Sequence, residues 1–345
     1  MRLPAFSRAA RAALPLAADR TRRAGLQTAS ALALSLGLAA GAVAYPDKPV
    51  TLIVPFGPGG DADIAARILQ PLVQKALGQP LVIVNRAGAS GSIGSQAVRQ
   101  APADGHTLLM ARVGSQVVLP VLAPKTPYRW NDFTLIGLTE LNPVVCAVRS
   151  ESPYRTLKDL SDALRAKPGK LNYSSSGQGT ILHLGPQLLF DQLQLGREAA
   201  VQVVYKSGSE AAMAVLSGDV DFSCGNLTSM AGTLKAGRLR ALLTTTPERL
   251  KDLPDVPTAR EAGVPALEAI IGWTALYGPP GLPKAVVEQW AQWLQQAAKD
   301  PAWISATERA GSIPRVMSPA DTERFVAEQV GVYERLGKSL NLTLE

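Results

Sequence analysis

From Pro49 onward, short runs of Val, Ile and Leu alternate with segments whose apolar residues recur at helical spacing. The runs "VTLIVPF", "LVIVN" and "HTLLMA" predict strands, with helices over 62–77, over 91–100 and from about Gly114. The alternation continues with strands at 143–149, 170–175, 201–206, 220–224 and 239–246, and with helices at 156–166, 180–193 and 209–217. A Pro-rich connector, "LKDLPDVPTAREAGVP", leads into one more extended run, "AIIGWTALYGPPGLP", and helices over 284–299, 301–310 and 319–339 follow it. Continuous apolar strands separated by helices predict an α/β fold whose sheets are mainly parallel and covered on both faces. The strands outnumber what one doubly wound sheet comfortably holds. They divide into two lobes, 45–142 with 270–345 and 143–269, with crossings near 140–145 and 268–278.

The first 44 residues follow a different pattern. Six arginines and a single acid open the chain, an apolar stretch follows, and small residues at Ala42 and Ala44 precede "YPDKP". That order predicts a secretory signal cleaved after Ala44 and a mature protein in the periplasm; the alternative is an uncleaved anchor. Arg22-Arg23 also resembles a twin-arginine signal, and either export route leads out of the cytoplasm. The formal charge of +7 belongs mostly to this segment: without it 29 basic and 27 acidic side chains remain. A nucleic-acid partner is therefore not expected. In an oxidising compartment Cys146 and Cys224 can bridge, but "VVCAV" reads as a buried strand and "DFSCGN" as a strand end, which favours two separate buried thiols.

Candidate chemistry gathers in four turns that lead from a strand into a helix. In "VPFGPGGDAD", Pro58, Gly59 and Gly60 let backbone N–H groups face outward, and Asp63 is placed to cap a helix starting at Ile64. The loop "NYSSSGQGTILHL" brings Ser174, Ser175, Ser176, Gly177 and Gly179 to a helix beginning near Thr180. "YKSGSEAAM" repeats the theme with Ser207, Gly208 and Ser209, and "ARVGSQVV" with Gly114 and Ser115. Free amides and hydroxyls at helix starts suit a carboxylate or carbonyl, and in open α/β sheets ligands collect beyond the carboxyl ends of the strands. Each turn taken singly is also explained as plain strand-to-helix geometry.

Catalytic patterns are sparse. Gly57, Gly59 and Ala62 partly match a dinucleotide fingerprint, but the second strand ends in Asn85-Arg86 without the expected acid. No G-x-S-x-G elbow occurs, and His106 and His183 have no metal-ligand spacing, so neither a metal nor a cofactor is expected. His183 sits one turn into the helix after the serine loop and is either a ligand contact or a hydrogen-bonded structural histidine. Lys206 either pairs with an anionic ligand or points to solvent, and Asp221 is either a pocket acceptor or a structural strand-start residue. Trp273 is a candidate cleft wall, whereas Trp290 and Trp293 read as core.

The stretches "YPDKPVTLIVPFGPGGDADIAAR", "LGQPLVIVNRAGASGSIG", "KPGKLNYSSSGQGTILHL", "VVYKSGSEAAMAVLSGDVDF", "LPDVPTAREAG" and "LYGPPGLPKAVV" together resemble the Bug-type receptors of tripartite tricarboxylate transporters, across nearly the whole mature chain. The resemblance implies a two-lobed, type II-like periplasmic binding protein, monomeric and not an enzyme. It would close around a small carboxylate or related metabolite and hand it to integral membrane transporter subunits. It carries ligand contacts onto the turn from Pro58 to Ala62, onto Gly114-Ser115, onto the Ser175 to Thr180 loop, and onto Ser207 to Ser209. One departure bears on chemistry: the family's first turn usually continues with small hydroxyl or glycine residues, whereas this chain has Asp61-Ala62. A carboxylate there repels an anion and attracts an amine.

Overall fold

The β-branched run after Pro49 extends as β1 (Val50–Val54) in the computed structural model, which describes residues 45–344. The export signal expected over 1–44 lies outside the described residues. After the glycine turn comes α1 (Asp61–Leu77), ended by Gly78 in the left-handed region at φ 65°. It is followed by β2 (Leu81–Asn85), α2 (Ser92–Arg99) and β3 (Thr107–Arg112). The helix expected from Gly114 is a single wide turn, Gly114–Val118, running into the short α3 (Leu119–Leu122). Next is β4 (Thr134–Asn142), a strand the sequence pattern did not announce. Its residues "TLIGLTELN" mix Thr, Glu and Asn with apolar ones, yet from Ile136 onward every position is buried.

The chain continues through β5 (Val144–Arg149), α4 (Leu157–Ala166), β6 (Leu171–Ser175), α5 (Ile181–Gln192), β7 (Ala200–Val204), α6 (Gly208–Ser217) and β8 (Phe222–Asn226). It ends with α7 (Ala231–Lys235), β9 (Leu239–Thr244), β10 (Gly272–Gly278), α8 (Lys284–Ala297), α9 (Pro301–Arg309), β11 (Ile313–Pro314) and α10 (Pro319–Ser339).

Two mixed sheets, each flanked by helices, make two lobes. One sheet has the order β11-β4-β10-β3-β1-β2 and the other β7-β6-β8-β5-β9 among the described residues. In the first, β1, β2 and β3 run parallel, and β10 is inserted antiparallel to both β3 and β4. In the second, β6 lies parallel to β7 and β8, with β5 antiparallel between β8 and β9. Most strands thus share one direction in each sheet; β5 alone is reversed in the second, and in the first both β10 and the short edge strand β11 run against the rest. The chain passes from the first sheet to the second across Pro143 alone, since β4 ends at Asn142 and β5 starts at Val144.

Helix α10 closes the first lobe against β4: Thr322 Oγ1 accepts from Leu138 N–H at 2.8 Å. Gly137 permits this, because a side chain there would meet Leu294 Cδ1 at 2.9 Å and Met317 O at 3.0 Å.

The expectation of two separate thiols is corrected. Cys146 and Cys224 face each other directly in the antiparallel pairing of β5 with β8 and form a disulfide closing a 78-residue separation. Which residues oppose across a pair of strands is set by register, and spacing along the chain does not carry it. No helix among the described residues is long and apolar enough to cross a membrane.

Candidate functional site between the lobes

The turns after β1 and β7 press directly on one another across the two lobes. Gly57 N–H donates to Lys206 O at 3.1 Å, and Ser209 Oγ donates to Gly59 O. Such approach needs missing side chains: a Cβ on Gly60 would stand 3.1 Å from Ser207 Cβ. Gly177, at φ 122°, lies against Ser90 of the other lobe, and Gly114 lies against Thr180. Asn85, at the end of β2, pins the first turn from behind, donating to Phe56 O at 3.1 Å and to Asp63 Oδ1 at 3.0 Å.

Between these turns lies a cavity of about 30 Å3, room for a water molecule or two. Of the residues expected at a site, Gly60, Asp61 and Ala62 wall it from the first lobe together with Gly114; Ser176, Thr180 and Gly208 wall it from the second. Phe56 and Ser176 also border a larger recess of about 600 Å3 at the mouth, shared by Ser90, Gly177, Tyr205 and Lys206. Pro58 and Gly59 are exposed at the rim.

Other expected contacts turn inward. Ser115 is fully buried and its Oγ donates to Arg112 O at 3.3 Å. Ser175 Oγ accepts from Gln202 Nε2 at 2.7 Å and from Gly177 N–H at 3.2 Å. Ser207 caps α6 by accepting from Glu210 N–H at 3.2 Å. Gly179, at φ 68°, packs on Leu119 and Leu344. Trp273 is wholly buried against Phe325 in the first lobe's core, so it is no cleft wall: on β10 its neighbour Thr274 takes the opposite face. His183 is buried behind the cavity, with Nδ1 accepting from Gly179 N–H at 3.4 Å; burial pushes its pKa down to about 4, so the ring is neutral at pH 7. Asp221 takes the structural role, accepting from Asn172 N–H at 2.7 Å.

Helix α1 begins at Asp61 with Gly60 as its cap, not at Ile64. Asp63 reaches back to Gly59 N–H at 2.9 Å and pairs with Arg67 at 2.9 Å. Burial opposes its charge, but the hydrogen bonds from Arg67, Gly59 and Asn85 outweigh that and hold its pKa below the ordinary value.

The model of the family described as "Tripartite tricarboxylate transporter family receptor" matches residues 65–342. The chain belongs to this receptor family. A Pseudomonas sp. (strain P51) relative named "UPF0065 protein in tcbD-tcbE intergenic region" is 36% identical, covering 82% of this chain and 85% of its own. Protein BugT of Bordetella pertussis is 31% identical over 86% of this chain and 91% of its own. Among solved structures, MatC of Rhodopseudomonas palustris with bound malate superposes with a TM-score of 0.80 at 29% identity, covering 85% of this chain and 99% of that one. A second R. palustris protein, solved with adipate, gives 0.82 at 28% identity over 87% and 99%.

Asp61, singled out in the sequence, is bonded in the cleft to a network of residues that the sequence did not flag. Asp61 Oδ1 accepts from Ser229 Oγ at 2.5 Å; Oδ2 accepts from Asn226 Nδ2 at 2.8 Å and lies 3.4 Å from Arg112 Nη2. Arg112 Nη1 in turn donates to Asn142 Oδ1 at 2.5 Å and to Thr274 Oγ1. Glu140 closes the network, accepting from Asn142 Nδ2 at 2.9 Å and from Thr274 Oγ1 at 3.1 Å. Burial pushes the Glu140 pKa up, against the opposing pull of Asn142 and Arg112. One signal was available in the sequence: Arg112 and Asn226 are the polar last residues of two otherwise buried strands, at the sheet ends where ligands collect.

Proposed function

We propose that this protein is an extracytoplasmic receptor that captures a small organic acid or related metabolite between its lobes and delivers it to a tripartite tricarboxylate-type membrane transporter. The observation that carries the reading is the cavity itself, walled from both sheets by helix-start turns at the strand ends. Malate and adipate in two structural relatives support a carboxylate as at least part of the ligand. In this reading the lobes are 45–142 with 270–345 and 143–269, which agrees with the sheet to which each strand belongs. The contacts are made by Gly60 to Ala62, Gly114, Ser176, Thr180 and Gly208 at the inner cavity and by Gly177 at its mouth. Export by residues 1–44 places the protein in the periplasm, where such relatives work.

A receptor fits better than a hydrolase. The nearest histidine to Ser176, His183, has its Nδ1 engaged by Gly179 N–H, and Ser174 Oγ donates to Ala211 O at 2.8 Å.

A ligand of four to six carbons cannot enter 30 Å3, so uptake requires the lobes to part and close again. A ligand that binds only the folded state adds about 2.7 kcal/mol of stability at one hundred times its Kd. Screening organic acids, amino acids and amides by thermal shift, with native mass spectrometry of undenatured protein, is expected to find one. The absence of both a thermal shift and a co-purified ligand would remove the proposal's support.

A further inference from the structure

Asp61 and Arg112 are the charged side chains lining the inner cavity. Both are largely spent within the protein. Arg112 directs one nitrogen at Asn142 and Thr274 and the other at Asp61. Glu140 brings a second carboxyl group into the same network. One guanidinium thus faces two carboxyl groups, and the inner cavity holds no uncommitted positive charge for an incoming anion. The carboxyl end of a ligand is left with backbone N–H groups at the starts of α5 and α6, which need no counter-ion.

The carboxylate of Asp61 offers about four lone-pair positions, and Arg112, Asn226 and Ser229 occupy three of them. The fourth belongs to a side chain that lines the inner cavity, next to Gly208, where a Cβ would meet Ser229 Oγ at 2.5 Å and Asp61 Oδ2 at 3.3 Å. A donor on the ligand fits that position. A second carboxylate does not, because it would add a further buried negative charge beside Asp61, whose one cationic partner, Arg112, is already shared with the Glu140 network.

We propose that Asp61 sets the ligand class: the inner end of the cleft takes a hydrogen-bond-donating cationic group such as a primary ammonium, so the ligand is an amino-monocarboxylate rather than a dicarboxylate. This rests on the receptor reading above and narrows it.

Matched pairs of ligands test it. Calorimetry on the mature protein would compare 4-aminobutyrate with succinate and 6-aminohexanoate with adipate, each pair differing at one terminus. The wild-type protein is expected to bind the amino member of a pair at least about tenfold more tightly. Asp61→Asn, which keeps the shape and removes the charge, is expected to erase or reverse that ratio, with Asp61→Ser as a second variant should the first lose its fold. Tighter wild-type binding of the diacid, or an unchanged ratio in the variants, overturns the role of Asp61 and leaves the receptor intact. No saturable binding of any of the four probes overturns this inference and counts against the carboxylate receptor itself.

Discussion

His183 illustrates how a side chain near a ligand site can serve the fold instead. Burial lowers its pKa from 6.5 to about 4, so the unfolded chain binds a proton there before the folded one does. The sign follows from linkage: its contribution is complete above pH 6.5, declines as the pH falls toward 4, and is then constant. A shift of this size is worth roughly 3 kcal/mol. His183→Asn, which keeps an acceptor near the Gly179 N–H, is expected to flatten the fall in stability across that window, measured by urea unfolding at a series of pH values. If the wild-type curve is already flat there, the burial argument fails. In the sequence this residue had two readings, and only the direction of its ring nitrogen separates them.

At the scale of elements, the turns were legible and their partners were not. Glycine and serine between an apolar run and a helical pattern announce a strand-to-helix turn, and three of the four lead into α1, α5 and α6, whereas the fourth, at Gly114, is a wide turn running into the short α3. What the pattern lacks is contact across about 150 residues of chain, such as Ser209 with Gly59 or Asn226 with Asp61. Serines 115, 175 and 207 looked like ligand hydroxyls because nothing in the pattern told a capping serine from a free one. Strand β4 was missed for a related reason: its Glu140 and Asn142 are buried by pairing with Arg112 and Thr274, and a period-based reading takes polar residues as exposed.

The turn geometry yields an expectation for Gly60. Its backbone is extended at φ −76°, so a larger residue brings no strain of its own, but a Cβ would crowd Ser207 of the facing lobe at 3.1 Å. Overpacking of this kind costs about 1–3 kcal/mol, and it falls mainly on closure, since the nearest contact is across the lobes and Gly57 O of its own turn stands farther off at 3.3 Å. Gly60→Val is expected to weaken ligand binding by roughly one to two decades while the melting temperature without ligand changes little. Equal affinity in the variant would show that the turns need not meet. Gly59 is a weaker probe, since its nearest neighbour, Ser209, stands 3.9 Å away.

For the whole molecule, the question is what holds the lobes together without a ligand. Asp61 belongs to the first lobe, and two of its three donors, Asn226 and Ser229, come from the second. Its carboxylate therefore ties the two lobes together with no ligand present, and closure is partly built in. A hydrogen bond to a charged group contributes about 1.5–3 kcal/mol, enough to move an open-closed equilibrium by one to two decades. Ser229→Ala removes one such bond and leaves Asn226 and Arg112 in place, so Asp61 keeps partners and the lobes keep their cores. X-ray scattering of the ligand-free variant is expected to give a larger radius of gyration than wild type, returning to the wild-type value when ligand saturates the cleft. Identical ligand-free curves would mean that the Asp61 contacts follow closure and do not drive it.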